Sequence, residues 1–358
     1  MKTFENILNT LRLKNKAMRS YSKLTLVGLS LSAAMITSSC VNEWPHPEDL
    51  TYDVHLLVHC ETDWLPEYDM TYTRDNSDLD IIYQFKIYPK GNNTTPVQEF
   101  SIYKDDFTRA DFTVDVTLNP GSYDVYVWSD VCNANTGKSL YYDSSDFSAI
   151  TYLRPYQANS NNKDAFRGMT SFTIDDPMEL HPSSTEKIIM KRPLSRYIFV
   201  ATDLDVFIEN EVSRGKIRSV DTRDGSYDIN SRDLEEELNN YTIKVIYPLY
   251  MPSVFDIFTD KPYDSWTGMS FNANISPITE TTAAIGLDYV MIGLDPSSVQ
   301  LALEIYDNEG VLIGGTQTIN VPILRDRTTV IYGEFLTSQE DTGITINPDF
   351  DGQFNIHL

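Results

Sequence analysis

Basic residues are scarce in this chain. Its 28 Lys and Arg stand against 52 Asp and Glu, a formal net charge of −24 over 358 residues. That balance repels phosphate backbones and anionic headgroups, so nucleic acid is excluded as a partner for the bulk of the chain. Cysteine is scarcer still, at three, too few for a disulfide framework. The five histidines form no HExxH motif, and there is no GxSxG elbow, Walker loop or GxGxxG turn after a strand. Those gaps leave no sequence signature of an enzyme, and no cofactor is expected. An acid-rich chain always offers carboxylate pairs, but no spacing here singles one out for glycoside hydrolysis. The longest apolar stretch, residues 24–36, falls short of the roughly 20 residues that a bilayer-spanning helix needs.

The few basic residues are unevenly placed. Lys2, Arg12, Lys14, Lys16, Arg19 and Lys23 precede that apolar stretch, against Glu5 alone. A positive segment, a short apolar segment and small residues before a cut site make a secretory signal. Here Thr37, Ser38 and Ser39 lead directly into Cys40, which makes residues 1–39 a lipoprotein signal peptide and Cys40 the lipidation site. Thr37 stands where Leu is usual. Acyl chains contribute about 0.8 kcal/mol per buried methylene, so such an anchor is close to permanent. Removing six of the 28 bases and one of the 52 acids leaves 22 and 51, and a still more acidic protein. Glu43, Glu48 and Asp49 lie in a tether over 40–50 and resemble a signal for the outer face of the outer membrane, although any solvated tether carries such residues.

Beyond the tether, strand periodicity dominates. Residues 52–59 alternate, with Tyr52, Val54, Leu56, Val58 and then Cys60 on one parity. Further strands are expected at 81–88, 99–103 and 111–118. After the Pro120-Gly121 turn, Tyr123, Val125 and Val127 oppose Tyr126 and Trp128, so both faces are apolar and the strand belongs inside a sandwich. Residues 133–163 read as a polar excursion with little regular structure. Asp176-Pro177 and His181-Pro182 mark a boundary, giving an N-terminal domain over 51–183 and a C-terminal domain over 184–358. In the latter, strands are expected at 187–190, 197–202, 241–246, 283–292, 299–305, 311–320 and 328–335. One short helix is expected at 232–239, with Ser231 as its cap.

Candidate chemistry is thin. His55 and His59 share a strand face, but no acidic partner is implied and a zinc site is disfavoured. Asp221, Asp224 and Asp228 around Gly225, and Asp349 and Asp351, only partly match a calcium loop. Cys60 and Cys132 read as separate buried thiols. Tyr141, Tyr142, Tyr152 and Tyr156 could present flat faces to a glycan, or could instead pack the excursion onto the sandwich. At the C-terminus, Ile344, Ile346, Phe350, Phe354, Ile356 and Leu358 all fall on one parity, the pattern of a strand that serves its own domain or is donated to another subunit.

Several segments carry a family resemblance: LNPGSYDVYVWSDV (118–131), YYDSSDFSAI (141–150), KDAFRGM (163–169), IIMKRPLSRYIFVATDL (188–204), VPILRDRTTVIYGEFLT (321–337) and INPDFDGQFNI (346–356). In this order, behind a lipoprotein signal, they resemble the fimbrial anchor and accessory lipoproteins of Bacteroidales, relatives of the minor-fimbrilin anchor. The resemblance implies an all-β protein of two tandem transthyretin-like β-sandwich domains. It implies a non-catalytic anchor or accessory subunit at the outer membrane, with pilin subunits as partners and strand exchange as the mode of assembly. It also makes the one-parity tail the candidate donor strand. The alternative is a surface glycan-binding lipoprotein of a polysaccharide uptake system.

Overall fold

The computed structural model describes residues 51–61, 78–105, 111–175, 184–218 and 232–337, and the backbone of Phe354–His357. The signal peptide, Cys40, the tether, Ser231 and both candidate calcium loops lie outside the described residues.

The protein is all-β, as the alternation of its sequence implies. The chain up to residue 191 forms β1 (Tyr52–Cys60), β2 (Leu79–Pro89), β3 (Gln98–Lys104), β4 (Phe112–Leu118), β5 (Gly121–Asn133), β6 (Tyr142–Asp143), β7 (Ile150–Tyr152), β8 (Ala165–Ile174) and β9 (Ser184–Lys191). Seven of these make one sheet in the order β3-β2-β5-β8-β9-β1-β4. The period-two pattern holds. In β1, Val54, Leu56 and Val58 are buried, as are Val114, Val116 and Leu118 on the antiparallel neighbour β4. The sheet curls back on itself, because Tyr83 of β2 meets Phe112 of β4 edge to face at 4.9 Å although the two strands are far apart in sheet order. Each fully buried aliphatic side chain in this core contributes about 1.5–3 kcal/mol.

The remainder forms β10 (Leu194–Ala201), β11 (Thr242–Asp256), β12 (Lys261–Ala273), β13 (Ser276–Pro277), β14 (Ala283–Met291), β15 (Ser297–Tyr306), β16 (Leu312–Gly315), β17 (Ile319–Ile323), β18 (Thr328–Gly333) and β19 (Phe354–His357). One sheet runs β13-β14-β10-β18-β19 and another β16-β15-β11-β7-β6, with β12 on β11 and β17 on β15. The two sheets face each other. Tyr197 of β10 hydrogen-bonds Tyr247 of β11 through their hydroxyls at 2.8 Å, both buried. Every residue of β10 and β14 is buried, the polar Ser195, Arg196 and Asp288 included, as suits strands covered on both faces.

Among the described residues two α-helices are present, where one was expected. α1 (Leu204–Ser213) buries Leu204, Phe207 and Ile208 on one face, and α2 (Arg232–Leu238) buries Leu234 and Leu238.

The excursion is also more ordered than its composition suggests. It supplies β6 and β7, and β7 pairs with β11 through Thr151–Val254 and Ile150–Phe255. A segment from the first half of the chain thus completes a sheet of the second half. β5 has the matching role. Tyr123, Val125 and Val127 face the first core, while Tyr126 and Trp128 belong to the second. The two apolar faces of this strand therefore line two different cores.

Charged side chains from distant segments close the same junction. Arg192 grips Asp164 through two bonds, of 2.7 and 2.8 Å, and also bonds Asp326. Arg167 donates to the Ile257 carbonyl at 2.9 and 3.0 Å. Arg325 reaches Asp260 at 2.7 Å. The basic and acidic residues of KDAFRGM, MKRP and ILRDR, far apart in sequence, meet here.

Candidate functional site

β18 lies between two parallel partners. On one side it pairs with β10, from Arg196–Thr328 to Ala201–Gly333. On the other it pairs with β19, with Phe354 opposite Thr329 and Ile356 opposite Ile331. A parallel pair needs a crossover of about a dozen residues or more, and residues 334–353 are long enough to provide it. β19 is the outermost strand of its sheet, so its far side presents backbone donors and acceptors in the manner of any edge. Its ladder has only four residue pairs. At about 0.5–1.5 kcal/mol net per hydrogen bond, detaching it costs a few kcal/mol from the ladder. Of the expected donor residues, Phe354 and Ile356 are two apart in this strand and so share a face. Ile344, Ile346, Phe350 and Leu358 lie outside the described residues.

The four tyrosines considered as a glycan face lie against the second core. Tyr142 and Tyr152 are 1% and 2% exposed. Tyr141 and Tyr156 are partly buried against the same core. Tyr142 donates its hydroxyl to the Lys163 carbonyl at 2.6 Å, and the Tyr152 hydroxyl accepts from the Met291 amide at 3.0 Å. Pairing of β7 with β11 turns these rings inward, where their burial outweighs the polarity of the segment around them. Tyr142, Tyr152 and Tyr156 pack on one another, and the last two also on Trp266.

His55 and His59 have acidic partners that their spacing did not reveal. Asp115, directly across the β1–β4 ladder, meets His55 Nδ1 at 2.5 Å, and Asp111 meets His59 Nδ1 at 2.6 Å. Cross-strand neighbours contribute this kind of pair. Among the described residues no group of three or more His, Cys, Asp or Glu side chains is placed to hold a metal ion. Cys60 and Cys132 are not joined in a disulfide, and burial pushes the Cys132 thiol up to about 11. Burial also lifts the Asp130 carboxyl to about 7, although Ser139 and Trp128 both donate to it.

A family model described as a family of unknown function, DUF6562, matches residues 49–358. The chain belongs to that family. No curated protein matches it. Solved structures similar to it include the fimbrial anchor protein Mfa2 from Porphyromonas gingivalis, at 8% identity over 74% of this chain and 81% of that one, with a TM-score of 0.37. A fimbrial assembly protein from Parabacteroides distasonis aligns at 11% identity over 79% and 91%, with a TM-score of 0.37. The tip fimbrial protein Mfa3 from Porphyromonas gingivalis, with a C-terminal truncation, aligns at 11% identity over 75% and 81%, with a TM-score of 0.35. At such identities and superposition values these likenesses assign no activity. Membership of DUF6562 likewise names no ligand, and among the described residues no helix is long and apolar enough to cross a membrane.

Proposed function

We propose that this protein is a lipid-anchored fimbrial subunit, of anchor or accessory type, held at the outer membrane through Cys40 and joined to a neighbouring pilin by exchange of its C-terminal strand. In this reading it is non-catalytic and its two sandwiches are rigid parts of an assembly. The observation that carries the reading is β19, a four-residue parallel strand on the outer edge of its sheet. Such a strand satisfies the edge of β18 when it is at home and is cheap to release. If it left, it would expose the backbone of β18 to a substitute strand of another chain. The sequence supports the same reading through its leader, its acidic surface and the six segments that resemble Bacteroidales fimbrial anchor lipoproteins. The glycan-binding alternative is less favoured, because two of its four tyrosines are buried and the other two are half-buried against the same core.

Deletion of residues 354–358 tests the reading. The shortened protein is expected to be exported, to keep its strand signature in circular dichroism, and to lose its fimbrial partner on purification from the envelope. A shortened protein that still retained that partner would contradict strand exchange. One that failed to fold would show the tail to be an obligatory internal strand.

A further inference from the structure

At the centre of the second core a lysine and an aspartate meet with almost no access to water. Lys163 closes a short 3-10 turn, Asn161–Lys163, at the end of the excursion, and Asp288 sits within the strand β14. Their side chains are 1% and 0% exposed, and Lys163 Nζ lies 2.5 Å from Asp288 Oδ1. Aromatic rings enclose them, with Nζ 4.4 Å and 4.2 Å from the centres of Tyr152 and Tyr156. The hydrogen bonds around the carboxylate are unequal. Oδ1 accepts from the Tyr289 amide at 2.7 Å. Oδ2 accepts from two phenols, Tyr247 at 2.7 Å and Tyr156. The Tyr156 hydroxyl also accepts from Lys163 Nζ at 2.7 Å, so it bridges the amine and Oδ2.

We propose that Lys163 and Asp288 condense spontaneously into an intramolecular isopeptide bond, a self-made covalent cross-link between the excursion and β14. The pair starts as ammonium and carboxylate. One proton passes from Nζ through the Tyr156 hydroxyl to Oδ2, leaving a neutral amine and a carboxylic acid. Nζ then attacks Cγ. The negative charge that develops on Oδ1 is held by the Tyr289 amide, in the manner of an oxyanion hole. A second proton follows the same route from nitrogen to Oδ2, the Cγ–Oδ2 bond breaks, and that oxygen departs as water. The nitrogen keeps one hydrogen and Oδ1 becomes the amide carbonyl. Atoms and charge balance, and no oxidant or activating group is needed.

Two physical terms favour the reaction. The fold holds nucleophile and acyl carbon together, replacing a bimolecular encounter with a positioned one. Condensation also removes two buried charges whose desolvation is costly. Burial pushes the Lys163 amine below its ordinary value, toward the nucleophilic form, although the carboxylate opposes this. It pushes both Tyr156 and Tyr247 well above theirs, so each phenol keeps a proton to give. The product would close a loop between residues 125 apart, restricting the unfolded chain and tying the excursion permanently to the second sandwich. A surface protein under mechanical load would gain resistance to unfolding from such a tie.

Peptide mapping of the purified full chain, denatured before digestion, tests this. Trypsin is expected to fail after Lys163, and tandem mass spectrometry should find a branched peptide joining Lys163 to Asp288, lighter than its two parts by one water. Lys163→Met and Asp288→Ala should each abolish the branch. Tyr156→Phe, which keeps both charges, should slow its appearance several-fold after synthesis. Complete tryptic cleavage after Lys163 in the folded wild-type protein, with both side chains at their sequence mass, would overturn the proposal. A Tyr156→Phe protein that cross-linked as fast as wild type would overturn the proton route.

Discussion

Asp130 shows how a single side chain in β5 can make this protein sensitive to pH. Burial beside Trp128 lifts its carboxyl from the ordinary aspartate value to about 7, and the bonds from Ser139 and Trp128 only partly offset that burial. The folded protein therefore keeps a proton that the unfolded chain gives up above its lower value. Between the two values the native state binds more protons, so this group's stabilisation is full below about 4, falls as pH rises, and is gone above about 7. A shift of this size corresponds to a ceiling of roughly 4 kcal/mol. Urea unfolding of wild type and Asp130→Asn across that range is the check. The wild-type advantage should shrink on going to higher pH, and a constant difference would show that the carboxyl is ionised throughout. No residue pattern advertised this group, because its burial comes from strands that are distant in sequence. The same is true of the His55–Asp115 pair, which depends on the β1–β4 register, and of Lys163 and Asp288, which look like ordinary solvated charges in the sequence.

At the scale of elements, strict alternation made β1 and β4 legible, and the double-faced pattern of β5 placed it correctly inside the structure. What the pattern could not say was that its second face serves a different core. α1 was hidden for a different reason. Its Val206, Phe207 and Ile208 are strand-prone residues, and Asp203, the residue before it, makes no capping bond. Instead the Asp203 carboxylate accepts from the Leu336 and Thr337 amides. β12 was hidden because it lies largely exposed along β11, with only Phe271 and Ala273 buried, so it lacks a period-two apolar face. The excursion misled through composition, since β6 and β7 total five residues and gain their order from β11. The wall formed by β5 has a mechanical consequence. Trp128 is fully buried against Tyr142 and Phe255, and Trp128→Ala should cost about 3–5 kcal/mol. Calorimetry should show one transition moved to lower temperature. Two transitions, only one of them moved, would mean that the cores unfold separately and that the strand does not couple them.

At the scale of the whole molecule, the all-β class could be read in advance, while the sheet order and the junction could not. It is built from tertiary meetings: Arg192 with Asp164 and Asp326, Arg167 with Ile257, β7 with β11. Two cores thus share a strand, an excursion and a network of charged side chains. β19 is held to a single neighbouring strand by four residue pairs, and the proposed role in assembly turns on whether that strand leaves home. A photo-reactive amino acid at position 356, in full-length protein within the native envelope, measures this directly. Illumination is expected to yield a covalent adduct with a second fimbrial subunit. Adducts confined to β18 of the same chain, in cells that carry assembled fimbriae, would contradict it.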